Sequence, residues 1–213
     1  MGTHAANPEK LGQDENTCPK MGRPRGFRED KALDAAMRVF WEKGYEGASL
    51  EDLTAAMGIN RSSLYSSFGD KEQLFKRAIA NYADGPASYV GESLRQPSAR
   101  AVIKALLKGT LALLTDPTHP PGCLFIQGGL ACGSGAESVK QALVDWRRNG
   151  EAAIEKRMKQ ARKEGDLPLD VDPRDLARYV CIVMTGLGVQ AANGATKSEM
   201  TRAVELALRS LPF

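Results

Sequence analysis

Between Gly58 and Lys71 the sequence groups side chains able to donate hydrogen bonds: Arg61, Ser62, Ser63, Tyr65, Ser66 and Ser67. At about 100° per residue, Leu64 and Phe68 turn to one side of a short helix and leave the guanidinium, hydroxyls and phenol on the other. A rod of roughly 12 Å with those groups can grip phosphate oxygens, and Arg61 can pair with O6 and N7 of guanine, so it fits the major groove of duplex DNA. Catalysis has no comparable constellation. The two histidines, His4 and His119, fall in a polar tail and a proline-rich loop. No nucleophile with its base, phosphate loop or metal-ligand spacing accompanies them. The reading is therefore not an enzyme, with no cofactor and no metal.

Positioning this rod requires a turn and a small hydrophobic base. Gly58 permits a sharp reversal, Ile59 plugs the space beneath it, and Asn60 can cap the helix from Arg61 to Phe68. Upstream, Ser49 followed by Asp52 resembles a capping box that starts a helix carrying Leu50, Leu53 and Met57. Before it, Leu33, Ala36, Met37, Phe40 and Trp41 recur at helical spacing from Glu29 or Asp30 until Gly44. Downstream, Asp70 with Gln73 caps a fourth helix bearing Leu74, Phe75, Ala78 and Ile79.

Asp84-Gly85-Pro86 opens a Gly-, Ser- and Pro-rich tract to Ser98, the expected domain junction. Further helices are expected from about Ala99 to Leu114, Cys123 to Cys132, Glu137 to Lys163, Pro173 to Ala192 and Lys197 to Ser210. Pro117, Pro120 and Pro121 make residues 116–122 a loop. Asp172-Pro173 and Thr196 with Glu199 mark helix starts. The expectation is an all-α protein: a three-helix helix-turn-helix domain with a linking helix over 29–84, then a larger helical bundle over 85–213. Residues 1–28 read as a disordered arm, basic at its end through Lys20, Arg23, Arg25 and Arg28.

Composition sets outer bounds. A formal net charge of +3 is ordinary for solubility and by itself implies no nucleic acid. Only 6% of residues are aromatic, and helix-forming types abound. The four cysteines, Cys18, Cys123, Cys132 and Cys181, lie too far apart for a zinc motif. The N-terminus has no apolar signal segment, and Tyr179 to Ala192 is too short to span a bilayer. A soluble, cytoplasmic protein with reduced thiols and no membrane partner is expected.

The near-continuous run Ser49-Leu50-Glu51-Asp52-Leu53, then Met57-Gly58-Ile59-Asn60-Arg61-Ser62-Ser63-Leu64-Tyr65-Ser66-Ser67-Phe68-Gly69-Asp70-Lys71-Glu72-Gln73-Leu74-Phe75, resembles the TetR/AcrR-family signature. Ala35 to Tyr45 resembles that family's first helix with its glycine-aromatic exit. The resemblance implies a transcriptional regulator, usually a repressor, that binds a pseudo-palindromic double-stranded operator as a homodimer and releases it to a small hydrophobic inducer. It implies that Ser49, Ser63, Tyr65 and Lys71 contact the DNA backbone and that Arg61, Ser62, Ser66 and Ser67 face the bases. Arg23 and Arg25 would lie along the adjacent minor groove. Thr54 departs from the alanine common there, and its hydroxyl needs a partner.

The second half matches more weakly, in the pattern around Leu167, Asp172-Pro173 and Leu176-Ala177. There the resemblance implies a dimer through the last two helices, with Val183, Gly186, Leu187 and Ala191 at the interface. An inducer pocket among the middle helices would use Leu106, Thr110, Phe125, Trp146, Met158, Tyr179 and Met184. An alternative stays open: Cys123, at a helix start whose dipole lowers a thiol pKa, would serve a thiol-based redox or electrophile sensor.

Overall fold

A computed structural model describes residues 1–2, 27–130 and 135–213, without the side chains of residues 129 and 130. Arg23 and Arg25, with Cys18 and Cys132, lie outside the described residues. The described chain is all-helical: α1 (Glu29–Gly47), α2 (Leu50–Met57), α3 (Arg61–Phe68), α4 (Lys71–Asp84), α5 (Tyr89–Leu94), α6 (Ala99–Leu114), α7 (Leu124–Leu130), α8 (Glu137–Lys163), α9 (Pro173–Ala192) and α10 (Lys197–Arg209).

Local chemistry accounts for most boundaries. Ser49 accepts from the backbone N–H of Asp52 at 3.0 Å, while the Asp52 carboxylate takes the Ser49 backbone N–H at 3.1 Å, closing a capping box. Asn60 accepts from Ser63 N–H and Asp70 from Gln73 N–H, both at 2.8 Å. Thr196 and Glu199 repeat the box at α10, and Asp172 with Pro173 at N1 starts α9. Each such cap contributes about 1 kcal/mol. Gly58 ends α2 in the left-handed region at φ 64°, where a residue with a Cβ is strained. Helical dihedrals in α1 break at Gly44 (φ 69°, ψ 177°), so the sequence-expected end is real and a short turn to Gly47 follows it.

One helix escapes the sequence reading. Residues 84–98, expected to be a loose junction, hold α5, which packs on α6. Six residues containing Gly91 and preceded by Gly85-Pro86 show too little periodicity to announce a helix.

Two hydrophobic clusters hold the fold. The first joins α1 to α4 and continues into Leu124, Ala136, Val139 and Leu143 of the second half. The second gathers α6, α9, α10 and the C-terminal part of α8 around Leu106, Met158, Val180 and Val204. Among the described residues no helix is long and apolar enough to cross a membrane, and no group of His, Cys, Asp or Glu could hold a metal ion.

Candidate nucleic-acid interface and ligand cavity

α3 presents two unlike faces. Leu64 and Phe68 are buried in the first cluster, stabilising the helix by about 1.5–3 kcal/mol each, whereas Arg61, Ser62, Tyr65 and Ser66 are exposed. Ile59 is half-buried against the same cluster, under the Gly58 turn. Ser63 and Ser67 are partly covered at the sides. Ser66 Oγ donates to the Ser63 carbonyl at 3.1 Å, which leaves its lone pairs outward. The Thr54 hydroxyl finds its partner within its own helix, donating to the Leu50 carbonyl at 2.8 Å, so it does not disturb the packing of α2.

Arg61 is not idle: its Nη2 meets Glu51 Oε1 of α2 at 3.1 Å, with 59% and 84% of the two side chains exposed. An ion pair this wet is worth little and exchanges easily for a better partner. Ser49, exposed at the start of α2, donates its hydroxyl to Asp52 Oδ2 at 2.8 Å. Lys43 Nζ reaches the other Asp52 oxygen at 2.7 Å. That ammonium, then the Ser49 bonds, hold the Asp52 carboxyl down at about 2. Lys71 opens α4 with its Nζ 4.5 Å from the centroid of the Tyr45 ring. Partial burial lowers its pKa, opposed by Glu46.

A residue that sequence reasoning missed fixes the far end of α3. Arg77 of α4 donates from Nη1 to the Ser67 carbonyl at 2.9 Å and from Nη2 to Glu29 Oε1 at 2.6 Å, with its guanidinium 4.6 Å from the Phe68 ring centroid. It ties α3, α4 and the first turn of α1 together. No local pattern signals this, because its partners lie ten and 48 residues away.

The second site is a cavity of about 1090 Å³ between α4, α5, α6, α7, α8 and α9, at the large end for a small-molecule pocket. Thr110, Phe125, Trp146 and Met184 line it. Leu106 and Met158 are instead fully buried in the second cluster, and Tyr179 lies on the outer side of α9, with its hydroxyl 2.9 Å from Ser210 Oγ. On α9, Gly186 is exposed and Val183 half-buried, while Leu187 and Ala191 are buried within their own chain. The exposed row there is Ile182, Gly186 and Val189, with Leu206 of α10; Ile182 and Leu206 are 63% and 62% exposed, and Ile182 and Gly186 also line the cavity.

Cys123 also lines the cavity and accepts a hydrogen bond from Tyr82 of α4 at 3.5 Å. Burial pushes its thiol up and outweighs the Tyr82 bond and the backbone amides at the start of α7. This is opposite to the direction expected from the helix dipole. Cys181 is likewise pushed up, to about 11, by burial.

A two-helix reading unit with a polar exposed second helix, carried on a larger bundle with a cavity, defines a helix-turn-helix regulator. The description "Bacterial regulatory proteins, tetR family" matches residues 32–78, and "Tetracyclin repressor-like, C-terminal domain" matches residues 99–207, just over half of the chain. The repressor ComR of Escherichia coli is 27% identical over 95% of this chain and 98% of its own length. The uncharacterised regulator YezE of Bacillus subtilis is 32% identical over 75% and 84%. A cysteine-substituted variant of the TetR-family regulator CifR, solved with 26-base-pair operator DNA, superposes with a TM-score of 0.86 at 41% identity, covering 89% of this chain and all of that one. This chain belongs to the TetR family of bacterial transcriptional regulators; these relatives are regulators and not enzymes.

Proposed function

We propose that the chain is a homodimeric repressor that holds a pseudo-palindromic operator with two copies of α3 and releases it when a small hydrophobic inducer fills the cavity. The observation that carries this reading is the outward polar face of α3 over its buried Leu64 and Phe68. Arg61 exchanges the Glu51 carboxylate for the acceptor edge of a guanine, and Ser62, Ser66 and Ser67 complete the base-reading side. Ser49, Ser63, Tyr65 and Lys71 grip phosphates and set the register, and Arg23 and Arg25 follow the minor groove. The DNA complex of the CifR variant supports the operator assignment.

Dimerisation uses the outward apolar row Ile182, Gly186 and Val189 with Leu206, bordered by Val183, while Leu187 and Ala191 shape α9 from inside. Such a row left in water is the usual mark of an interface. Two reading helices then enter successive major grooves about 34–36 Å apart. An inducer that prefers the DNA-incompetent spacing weakens operator binding by about 5–150-fold.

Selection of bound fragments from random duplex DNA, followed by sedimentation of the complex, tests the reading. The expected outcome is an inverted repeat with half-sites about one helical turn apart and an even number of chains per site. Indifference to every duplex at low salt, or enrichment of a site without inverted symmetry, overturns it.

A further inference from the structure

The deep wall of the cavity is built from uncharged hydrogen-bonding groups whose hydrogens are already assigned. Thr110 donates its only hydroxyl hydrogen to the Leu106 carbonyl at 2.9 Å. The 2.9 Å bond between Thr110 and Tyr89 is therefore donated by Tyr89. Tyr89 thus keeps lone pairs, and no spare hydrogen, toward the cavity it lines. The ring is locked in place: a Cβ built on Gly109 of α6 falls 2.2 Å from Tyr89 Cδ2, so the tyrosine fills the notch that glycine leaves. Tyr82 donates to Cys123 Sγ beside it.

Burial raises the two acidic hydrogen-bonding groups of this wall, Tyr89 to about 12 and Cys123 likewise upward, so both keep their protons at physiological pH, and Tyr82 stands behind them, fully buried in the first cluster. Two further charged residues that line the cavity, Asp84 and Arg147, are exposed to solvent, and Arg147 donates to the Phe125 carbonyl at 2.7 Å and is the weakest influence on Cys123. At the rim, Arg178 is paired with Glu151 at 2.6 Å, and Arg148 is exposed to solvent, where screening leaves a point charge little value. Phe125 and Trp146 stack with centroids 5.1 Å apart on the way in, and Trp146 is 40% exposed, which leaves part of its surface free for a further ring.

Resting on the inducer reading of this cavity, we infer that its ligand is a neutral, ring-bearing molecule with a hydroxyl group, the ring packing at Phe125 and Trp146 and the hydroxyl donating to Tyr89. An acceptor-only carboxylate has no hydrogen to offer Tyr89, and the exposed Arg147 and Arg148 offset little of the hydration it would lose at that depth. A ring without any polar group leaves the tyrosine oxygen unmatched.

Three probes of one skeleton test this: 2-naphthol, 2-naphthoate and naphthalene, titrated at pH 7 against the full-length protein with tryptophan fluorescence as the readout. The expected result is saturable quenching by 2-naphthol, with affinity for 2-naphthoate at least about tenfold weaker. In Tyr89→Phe, checked for folding by circular dichroism, the affinity for 2-naphthol falls about five- to tenfold and that for naphthalene does not fall. If 2-naphthoate binds as well as or better than 2-naphthol, or if Tyr89→Phe leaves 2-naphthol binding unchanged, the hydroxyl assignment is overturned while the cavity remains a binding site. If none of the three binds, the inducer reading falls with it.

Discussion

The two hydrophobic clusters are made from different materials. The first buries Phe40, Trp41, Phe75 and Tyr82, with Trp41 edge-on to Tyr82 at 4.7 Å and Phe40 edge-on to Phe75 at 4.9 Å. The buried members of the second are only Ala, Val, Ile, Leu and Met. The cavity lies at the seam, touching Ala87 and Phe125 from the first and Leu114 and Ile154 from the second. Large, stiff rings suit a domain that must hold α3 at one angle. Smaller aliphatic side chains suit a bundle that leaves a cavity beside it. Cys123 lines the cavity and packs against each cluster, so it joins the two at the seam.

The largest expected effect sets the two tryptophans against each other. Trp41 is fully buried, stacks on His119 at 5.2 Å and donates to the Gly122 carbonyl at 3.1 Å, fastening the proline-rich loop to α1. Trp41→Ala is expected to cost about 3–5 kcal/mol in denaturant unfolding. Trp146→Ala at the cavity rim should stay within about 1 kcal/mol. Equal losses would erase the distinction between a stiff head and a permissive cavity.

Next in size is the division of labour along α3. Arg61→Ala should remove about 1–3 kcal/mol of preference at one or two operator positions. Lys71→Ala should weaken binding to every sequence alike and reduce the slope of log affinity against log salt by about one. Anisotropy titrations on the selected operator and on single-position variants at several salt concentrations separate these outcomes. A uniform loss in both variants would mean that Arg61 only grips the backbone.

Arg77 comes after these. Arg77→Met keeps the hydrophobic stem over Phe68 but removes the donors to Ser67 and Glu29. Because the side chain is 40% exposed, the ion pair contributes little and the carbonyl bond dominates. A stability loss of about 1 kcal/mol is expected, with a similar fractional loss of affinity on every DNA sequence. An altered sequence preference would place Arg77 in direct contact with DNA.

The reading unit was almost wholly legible in the sequence because its signals are local. Ser49 with Asp52, Gly58, Asn60 and Asp70 each act within four residues, and their spacing sets α2, α3 and the start of α4. The cavity was legible only in part because burial by periodicity does not say what is on the other side. Leu106 and Thr110 share a face of α6, yet only Thr110 reaches the void. On α9 the small residues drew attention to Leu187 and Ala191, which face their own core, while Ile182 and Val189 face outward. Tyr89 sits on the helix that glycine and proline concealed, and the notch at Gly109 is visible only once α5 and α6 are packed.

The smallest effect compares the same device in the two regions. Ser49 with Asp52 and Thr196 with Glu199 are both capping boxes, but Lys43 adds an ammonium to the first, and that bond is the largest of the influences holding Asp52 at about 2. Glu199 is lowered by the Thr196 hydroxyl and backbone, with Arg202 contributing least. A carboxyl whose folded pKa is depressed stabilises the fold above its unfolded pKa, near 4, and that contribution disappears as pH falls through the folded value. Asp52 should therefore account for part of the stability lost between about pH 4 and pH 2, and Asp52→Asn should flatten that limb of a stability-against-pH curve. Glu199→Gln should flatten it less, because no lysine holds its carboxylate. If the two substitutions flatten the limb equally, the Lys43 bond adds nothing to the cap, and the head owes its acid sensitivity to the hydroxyl and backbone bonds that the two boxes share.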